Sequence, residues 1–442
     1  MPHPLPLPPA GQSHDDVLAR MRAMRVADAN WREGRTFSLV YFGGEELKRF
    51  LEAAYNEFMS ENGLSPLAFQ SLRRFEAEVV SMACTLFHGT AEAAGTMTSG
   101  GTESLLMAMK TAREWARAER GITAPEVVLP ITCHPALDKA AHYFGVKAVH
   151  APVGPDFRVD VAEVERRITP NTALLVGSAV AYPHGVVDPI RELAALAKAR
   201  GLLLHVDACL GGFHLPFARK LGVEVPPFDF ELDGVTSLSA DIHKYGFAAK
   251  GASLVLYKDK ALRRHQFYSR TDWPGGIYAS PSALGTRPGG AIAAAWGVMN
   301  YLGEAGYLRL HKTILDTADK LKAGIRAIPG LRLLGEAKYA IFAFTSDELN
   351  VYELGDAMEA RGWKLDRQMG PPALHCMVTP AHEKVADLFL RDLSECAASL
   401  QRGEPAPEGS AAMYGMIGQV ADPQMVQGFI GEFMDGLYEV EG

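Results

Sequence analysis

The sequence lacks the marks of several protein classes. Its five cysteines lie far apart with no C-x-x-C spacing, which argues against a disulfide framework or a zinc site. It contains no uninterrupted apolar run of about 18 residues, and its N-terminus shows no basic-then-apolar signal. Its 44 lysines and arginines are scattered and outnumbered by 52 acidic residues, so the sequence shows no cluster of positive charge of the kind that binds nucleic acid. We expect a soluble, cytoplasmic protein with no transmembrane segment, no metal site and no nucleic-acid partner.

The chain is long enough for more than one domain. It has 442 residues, of which 48% are hydrophobic and 22% charged, as in ordinary globular proteins. The first 12 residues include five prolines and predict an extended or disordered lead. We predict an N-terminal segment over 1–60, a large domain over 61–300 and a smaller C-terminal domain over 301–442.

Short apolar runs alternate with helical patterns through most of the large domain. Helical spacing begins near Asp15 and recurs over 45–59 and 69–87. Apolar runs then cover 126–131, 146–153, 173–180, 202–206, 234–238 and 252–257, and helical patterns cover 102–118, 135–144, 161–168 and 190–200. This alternation predicts βαβ units and a mostly parallel sheet in an α/β fold.

The pattern changes near Gly290. A long helix is predicted over 291–328, strands over 331–334, 340–344 and 375–378, and helices over 351–361, 382–399 and 424–440. This mixture predicts a smaller α+β domain.

A glycine-rich segment precedes the helix predicted to begin at Thr102. Glycines let the backbone approach an anion, and the first N–H groups and the dipole of the helix favour negative charge. The spacing around Gly101 is neither that of a Walker motif nor that of a Rossmann fingerprint, so a phosphate outside a nucleotide is favoured. The alternative is a plain helix start capped by Thr102.

Three further side chains are predicted at strand ends, where ligands bind in open α/β sheets. Asp207 ends one strand and is suited to hold a protonated ring nitrogen, or else caps the next turn. His134 follows another and offers a flat face for stacking, or else is a hydrogen-bonded structural group. Lys244 lies in the loop between the last two strands and points its amine into a cleft, unless it is solvated.

Together these residues match the needs of pyridoxal 5'-phosphate. The cofactor phosphate requires an anion-binding helix start, which Gly101 offers. The ring requires a flat neighbour and a carboxylate, which His134 and Asp207 offer, and the aldehyde requires a lysine, which is Lys244. Four such features at one sheet edge favour this cofactor over four separate structural explanations.

The same segments resemble a known family. Ser-Gly-Gly-Thr-Glu-Ser at 99–104, His-Val-Asp-Ala-Cys-Leu-Gly-Gly-Phe at 205–213, Ser-Ala-Asp-Ile-His-Lys-Tyr-Gly at 239–246 and Lys-Gly-Ala-Ser-Leu-Val-Leu-Tyr at 250–257 are similar to segments of sphingosine-1-phosphate lyases, within the group II pyridoxal-phosphate-dependent decarboxylases. The resemblance runs from about Tyr41 to the end of the chain. It implies aminotransferase fold type I and a homodimer with active sites at the interface, and residues 1–36 match the soluble bacterial forms in lacking a membrane helix.

The resemblance also implies roles for individual residues. Gly101, Thr102 and His243 would bind the cofactor phosphate, with Thr286 reaching in from the partner subunit, and His134 would stack on the ring. Tyr41 and Lys250 match positions that hold the substrate phosphate, and Tyr182 matches an active-site tyrosine. Ser65 stands where the family has a histidine, so it can donate a hydrogen bond to a phosphate but brings no charge. For Lys250 a solvated side chain is the alternative.

The expected reaction is retro-aldol cleavage of a phosphorylated long-chain base to a fatty aldehyde and phosphoethanolamine. Tyr182, Tyr41 and Lys244 are the candidates for proton transfer. One alternative is an amino-acid decarboxylase using the same cofactor residues, against which the pair Cys209-Leu210 and the presence of Lys250 argue. Another is a non-catalytic protein that binds the cofactor.

Overall fold

Seven short strands form the larger of the two main sheets, and a two-stranded hairpin forms a third. The computed structural model describes residues 5–417 and 423–439. The strands are β1 Ala94–Thr98, β2 Glu126–Pro130, β3 Lys147–Ala151, β4 Thr172–Ser178, β5 Leu203–Asp207, β6 Ser237–Ala240 and β7 Ser253–Tyr257. Their spatial order is β1-β7-β6-β5-β4-β2-β3. Strands β2 to β6 run parallel, and β7 is antiparallel to both of its neighbours, β6 and β1. The predicted mostly parallel sheet is confirmed.

Strand β1 was not predicted, because Ala-Gly-Thr-Met-Thr is not an apolar run. Gly95 explains its composition. A Cβ at Gly95 would lie 2.4 Å from the Leu256 side chain and 2.8 Å from the Val255 carbonyl, so β1 packs against β7 only without a side chain there.

Helices cover both faces of this sheet. Helix α1 His14–Met24 precedes them and has no buried residue. The covering helices are α2 Glu45–Glu57, α3 Gln70–Leu86, α4 Gly101–Arg120, α5 Ala136–Phe144, α6 Val161–Arg166, α7 Ile190–Arg200, α8 Leu215–Lys220 and α9 Lys260–Arg264. Alternate strand residues enter different cores: Val128 and Leu175 belong to one buried cluster, Val127 and Leu174 to another. Burial on both faces explains why these strands are continuous apolar runs.

The C-terminal part contains the smaller sheet. After the hairpin of β8 Tyr268–Arg270 and β9 Tyr278–Ser280, the long helix α10 Gly289–Ala327 leads to β10 Leu331–Leu333, β11 Ile341–Ser346, β12 Asp366–Met369 and β13 Pro372–Met377. The antiparallel order is β10-β11-β13-β12. The remaining helices are α11 Val351–Ala360, α12 Ala386–Gln401, α13 Ala411–Ile417 and α14 Pro423–Leu437. The predicted smaller α+β unit is present, and β12, which is polar, was not predicted.

Three helix predictions need correction. α10 is interrupted at Gly303, whose φ of 53° and ψ of −177° are not helical. The helix predicted over 382–399 is a 3-10 turn, Pro380–Lys384, followed by α12. The predicted final helix ends at Leu437 as α14, and its predicted last residue, Val440, lies outside the described residues.

The N-terminal segment packs against the smaller sheet. The Phe37 amide donates to the Lys364 carbonyl at 3.0 Å, and the Phe37 carbonyl accepts from the Met377 amide at 2.8 Å. Residues 5–13 form no helix or strand, and residues 1–4 of the proline-rich lead lie outside the described residues. Among the helices described, none has both the length and the apolar character needed to cross a membrane. The three domain boundaries stay a prediction.

A buried ion pair ties the start of α10 to the edge of the larger sheet. The Arg287 guanidinium donates to both Glu76 carboxylate oxygens, at 2.6 and 2.9 Å, and to the Met97 carbonyl at 3.1 Å. Glu76 also accepts from the Met97 amide at 2.9 Å. Helix α3, strand β1 and α10 therefore depend on one carboxylate.

We expect Glu76→Gln to lower the free energy of unfolding by about 3 kcal/mol, because it leaves a buried guanidinium without its counterion. Denaturant unfolding followed by circular dichroism measures this change. Lys312→Gln is the matched control, since it breaks the exposed pair of Lys312 and Asp316 and should leave the midpoint unchanged. Equal effects of the two substitutions would contradict the importance of the buried pair.

Candidate active site

The predicted site residues follow strand ends at one edge of the larger sheet. Gly101 follows β1, His134 follows β2, Tyr182 follows β4, Asp207 ends β5 and Lys244 follows β6. These five strands point the same way, because β1 and β6 are each antiparallel to β7. The loops therefore meet at the carboxyl edge, where open α/β sheets bind ligands.

Lys244 is held by a carboxylate that the sequence analysis did not single out. The Lys244 Nζ lies 2.9 Å from Asp241 Oδ2, and the other Asp241 oxygen accepts from the Ser253 hydroxyl. Burial lowers the pKa of Lys244, but the Asp241 charge outweighs it and the net shift is upward. Burial likewise raises the pKa of Asp241, but Lys244 and His243 outweigh it and lower the pKa. The solvated alternative for Lys244 is wrong.

The start of α4 is open to an anion. Gly100 is the N-cap, and no side chain caps the helix, so the alternative of a helix start capped by Thr102 is wrong. A Cβ at Gly101 would lie 2.9 Å from both Asp241 Oδ2 and Cys209 Sγ, and one at Gly100 would lie 3.6 Å from the His243 ring. The two glycines thus bring free N–H groups beside the Lys244 loop.

His243 is a neutral neighbour of this helix start. Its Nδ1 accepts from the Ala252 amide at 3.2 Å, which leaves Nε2 for a donor role. Burial lowers the pKa of His243 to about 4. The ring therefore offers a hydrogen bond rather than a charge at neutral pH.

Asp207 is buried, and one of its two carboxylate oxygens is hydrogen-bonded. Its Oδ1 accepts from the Cys209 amide at 3.1 Å and from the Ser239 hydroxyl at 3.3 Å, so the alternative role of capping a turn is present. Within the described part of the chain, Oδ2 has no hydrogen-bond partner. One oxygen fixes the carboxylate and the other is left for a ligand.

His134 is exposed at the same edge, with its Nδ1 accepting from the Ala136 amide at 3.2 Å. This hydrogen bond orients the ring through one of its two nitrogens. A ring held in this way keeps its faces available for stacking.

These features fit pyridoxal phosphate. An uncapped helix start with glycines at closest approach suits the phosphate, the free oxygen of Asp207 suits a ring N–H, and Lys244 offers an amine near both. The roles of Gly101, Thr102, His134, Asp207, His243 and Lys244 stay predictions, now with compatible geometry.

A second cation lies next to this pocket. The Lys250 Nζ donates to the Leu39 carbonyl at 2.7 Å and lies 5.3 Å from the centre of the Tyr41 ring. Although the residue as a whole is exposed, burial of the ammonium, with Lys244 adding to it, lowers the pKa of Lys250 to about 8. The Tyr41 hydroxyl donates to the Met377 sulfur at 3.0 Å. Lys250 is thus an exposed residue whose ammonium is hydrogen-bonded to the backbone and lies over an aromatic ring.

Tyr182 faces the pocket from the loop after β4. Its hydroxyl donates to Asp366 Oδ2 at 2.7 Å, and its ring lies 4.3 Å from that of His375. Burial and the Asp366 charge raise the pKa of Tyr182, while Lys244 acts in the opposite direction. Tyr182 is therefore a neutral phenol close enough to Lys244 to feel its charge.

Two predicted residues do not join this group within one chain. Ser65 is exposed in the turn before α3, and Thr286 is exposed and accepts from Asn62 at 3.3 Å. The Gly63 amide donates to the Arg287 carbonyl at 2.8 Å, so both segments lie together. Among the described contacts, neither residue touches Lys244 or Lys250. A role for them requires another subunit.

Two carboxylates of the pocket were missed. Asp241 had a signal, since it precedes Lys244 by three residues inside the quoted segment at 239–246. Asp366 had none, because it lies 184 residues from Tyr182 in a polar strand of the smaller sheet.

We expect Asp241→Asn to speed attachment of pyridoxal phosphate to the apo-protein at neutral pH. Loss of the carboxylate lowers the pKa of Lys244, and each unit of that fall raises the uncharged amine fraction about tenfold. Stopped-flow absorbance measures the rate. Asp229→Asn, which replaces a buried carboxylate near His88, is the control and should leave the rate unchanged. A slower rate in a folded Asp241→Asn protein would show that the carboxylate has another role.

The chain is similar to a known protein family and to several named relatives. The model of the Aminotransferase class-V family matches residues 84–386. The sphingosine-1-phosphate lyase of Arabidopsis thaliana is 44% identical over 433 residues, covering 96% of this chain and 79% of the relative. Sphingosine-1-phosphate lyase 1 of Rattus norvegicus is 43% identical, covering 98% and 77%.

Solved structures of other proteins are also similar to this chain. The structure of a Burkholderia pseudomallei sphingosine-1-phosphate lyase matches with a TM-score of 0.91 and 39% identity, covering 99% of this chain and 98% of that one. A glutamate decarboxylase of Lactobacillus brevis matches with a TM-score of 0.79 at 19% identity, which shows a shared fold. The fold and the lyase resemblance predicted from the sequence are confirmed. By full-length similarity to its relatives, the chain belongs to the sphingosine-1-phosphate lyase family, within the Aminotransferase class-V fold.

Proposed function

We propose that the protein cleaves a phosphorylated sphingoid base, such as sphingosine 1-phosphate, to a long-chain aldehyde and phosphoethanolamine. The observation that carries the proposal is the position of Lys250. Its ammonium lies over the Tyr41 ring, next to the pocket that contains Lys244. The site therefore offers Lys250 to a substrate phosphate and a separate residue, Lys244, to a substrate amine. A decarboxylase of the same fold needs no such second cation for an uncharged side chain.

Pyridoxal phosphate, when bound, supplies the electron sink that stabilises the carbanion left when the C2–C3 bond breaks. We assign its phosphate to Gly101, Thr102 and His243, its ring to His134 and Asp207, and its attachment to Lys244. The free Asp207 oxygen would accept a hydrogen bond from the ring N–H.

The chain's own residues orient the substrate. Lys250 would exchange its bond to the Leu39 carbonyl for the substrate phosphate. Tyr182, near Lys244, and Tyr41, under Lys250, are neutral phenols, because burial raises the pKa of each. Such phenols donate and accept hydrogen bonds but do not attract a proton as phenolates.

We further propose a homodimer in the cytoplasm. Ser65 and Thr286 are exposed away from Lys244 within one chain, and the segment 267–284 presents exposed apolar side chains: Phe267, Tyr268, Trp273, Ile277 and Leu284. A second subunit covering this segment would bring its own Ser65 and Thr286 to the pocket. The five unpaired, buried cysteines fit a reducing compartment.

Incubation of the holoenzyme with sphingosine 1-phosphate should release a long-chain aldehyde and phosphoethanolamine, detected by mass spectrometry. Lys244→Ala should bind no cofactor covalently, as seen in its absorbance spectrum, and should lose the reaction. The same preparation is offered an amino-acid panel. Carbon dioxide release without aldehyde would replace the proposal by the decarboxylase alternative.

The pH dependence should report Lys250. Its pKa is lowered to about 8, so the phosphate loses its counter-charge as pH rises through that value in the free enzyme. We expect kcat/KM to fall above about pH 8 and KM to carry the change. Lys250→Arg should remove this fall, since arginine stays charged. Lys250→Met should raise KM at all pH values.

The non-phosphorylated base sphingosine is the matched control, because it has no phosphate for Lys250 to hold. Its weaker turnover should be the same in Lys250→Met and the unaltered protein. An equal loss with both substrates would assign Lys250 to the cofactor instead.

A further inference from the structure

Asp366 joins three parts of the chain at the pocket. Its Oδ2 accepts from the Tyr182 hydroxyl at 2.7 Å, in the loop after β4, and its Oδ1 accepts from the Ser38 hydroxyl at 3.1 Å, in the N-terminal segment. Asp366 itself begins β12 of the smaller sheet and pairs with His375 of β13. Both oxygens are thus directed by hydroxyl donors.

No cation neutralises this carboxylate. Within residues 5–417 and 423–439, Asp366 takes part in no ion pair, although the next residue, Arg367, pairs with Asp356 and Glu359. A partly buried carboxylate that lacks a cation is a better proton acceptor than one in a salt bridge. Asp241 is the contrast, since it is paired with Lys244.

The other titratable neighbours of Asp366 are uncharged at neutral pH. His375, on β13, is fully buried with neither ring nitrogen bonded within the described residues, and burial lowers its pKa to about 4. Burial, with Asp366 adding to it, raises the pKa of Cys376 on the same strand. Tyr41, in the N-terminal segment, feels both Asp366 and Tyr182 and is a neutral phenol. These neighbours therefore bring no charge of their own to the Asp366 carboxylate.

We propose that Asp366 is a positioning residue that turns the Tyr182 hydroxyl and receives its proton during carbon–carbon cleavage. The proposal rests on the proposed function, whose reaction requires a group to take the proton of the C3 hydroxyl. Since the Tyr182 proton already points to Asp366, the lone pairs of the Tyr182 oxygen are left for the substrate.

The proton transfer balances in two linked steps. The substrate O–H bond breaks and a new O–H bond forms on the Tyr182 oxygen, while the original Tyr182 O–H bond breaks and its proton passes to Asp366 Oδ2. The electron pair of the substrate O–H bond becomes the carbonyl bond as C2–C3 breaks. Asp366 is then neutral, and its proton returns to the Tyr182 oxygen as the Tyr182 hydroxyl gives its own proton to C2 of the product carbanion. No oxidant or further reactant is needed.

The first test compares four variants of the holoenzyme. Asp366→Asn keeps an acceptor for the Tyr182 hydroxyl but cannot take a proton, so kcat should fall about 100-fold or more, as in Tyr182→Phe. Asp366→Glu should restore part of the loss. Asp392→Asn, which replaces the carboxylate bonded to the Trp363 indole, is the control and should behave as the unaltered protein.

The pH profile separates this role from a structural one. The acidic limb of kcat/KM should disappear in Asp366→Asn. In Ser38→Ala the limb should move to higher pH, because a carboxylate that loses a hydrogen-bond donor is easier to protonate. An unchanged limb in both variants, or Asp366→Asn activity within twofold of the unaltered protein, would overturn the proposal.

A second readout needs no turnover. Infrared difference spectra of the apo-protein through an acid titration should contain a carboxyl C=O band that is absent in Asp366→Asn and shifted in Tyr182→Phe, which removes the hydroxyl donor. An unshifted band would overturn the coupling of Tyr182 to Asp366. If the unaltered protein releases no aldehyde, the proposed function fails, and the infrared result still decides whether the pair exists.

Discussion

Burying the Lys244 ammonium at the sheet edge has a desolvation cost of several kcal/mol, which the Asp241 carboxylate 2.9 Å away offsets. That pair constrains its surroundings. Gly101 has no side chain because Asp241 and Cys209 fill the space, and Ser253 at the start of β7 orients the second carboxylate oxygen. Lys244, the helix start and the antiparallel strand β7 are thus parts of one electrostatic arrangement.

The two lysines of the loop after β6 differ because of this pair. Lys244 has the carboxylate and holds its proton more firmly, whereas Lys250 has a carbonyl and an aromatic face and holds its proton less firmly. The charge of Lys244 adds to the effect of burial on Lys250. An anion placed between them would satisfy Lys250 without competing with Asp241, which suits a substrate that carries its own phosphate.

The smaller sheet completes the pocket rather than merely covering it. Asp366 accepts from Tyr182 of the larger unit and from Ser38 of the N-terminal segment, and Met377 contacts the Tyr41 hydroxyl. Movement of the smaller sheet would therefore alter the hydrogen bonds of both tyrosines. The resemblance could assign Tyr41 and Tyr182 to the site, but it carried no information about the carboxylate that orients one of them.

The alternation of strands and helices and the family could be predicted from the sequence, because apolar runs and short motifs are local. The meeting of Gly101, His134, Asp207 and Lys244 at one sheet edge could be predicted as well, whereas their roles toward a cofactor stay predictions. Strands β1 and β12 could not be predicted, because β1 contains a glycine and threonines and β12 is polar. Their places depend on partner strands that are distant in the chain. Only the tertiary structure paired Lys244 with Asp241, placed the Lys250 ammonium over the Tyr41 ring and brought Asp366 to the Tyr182 hydroxyl. Those contacts depend on burial and on distances between chain segments, which no local pattern encodes.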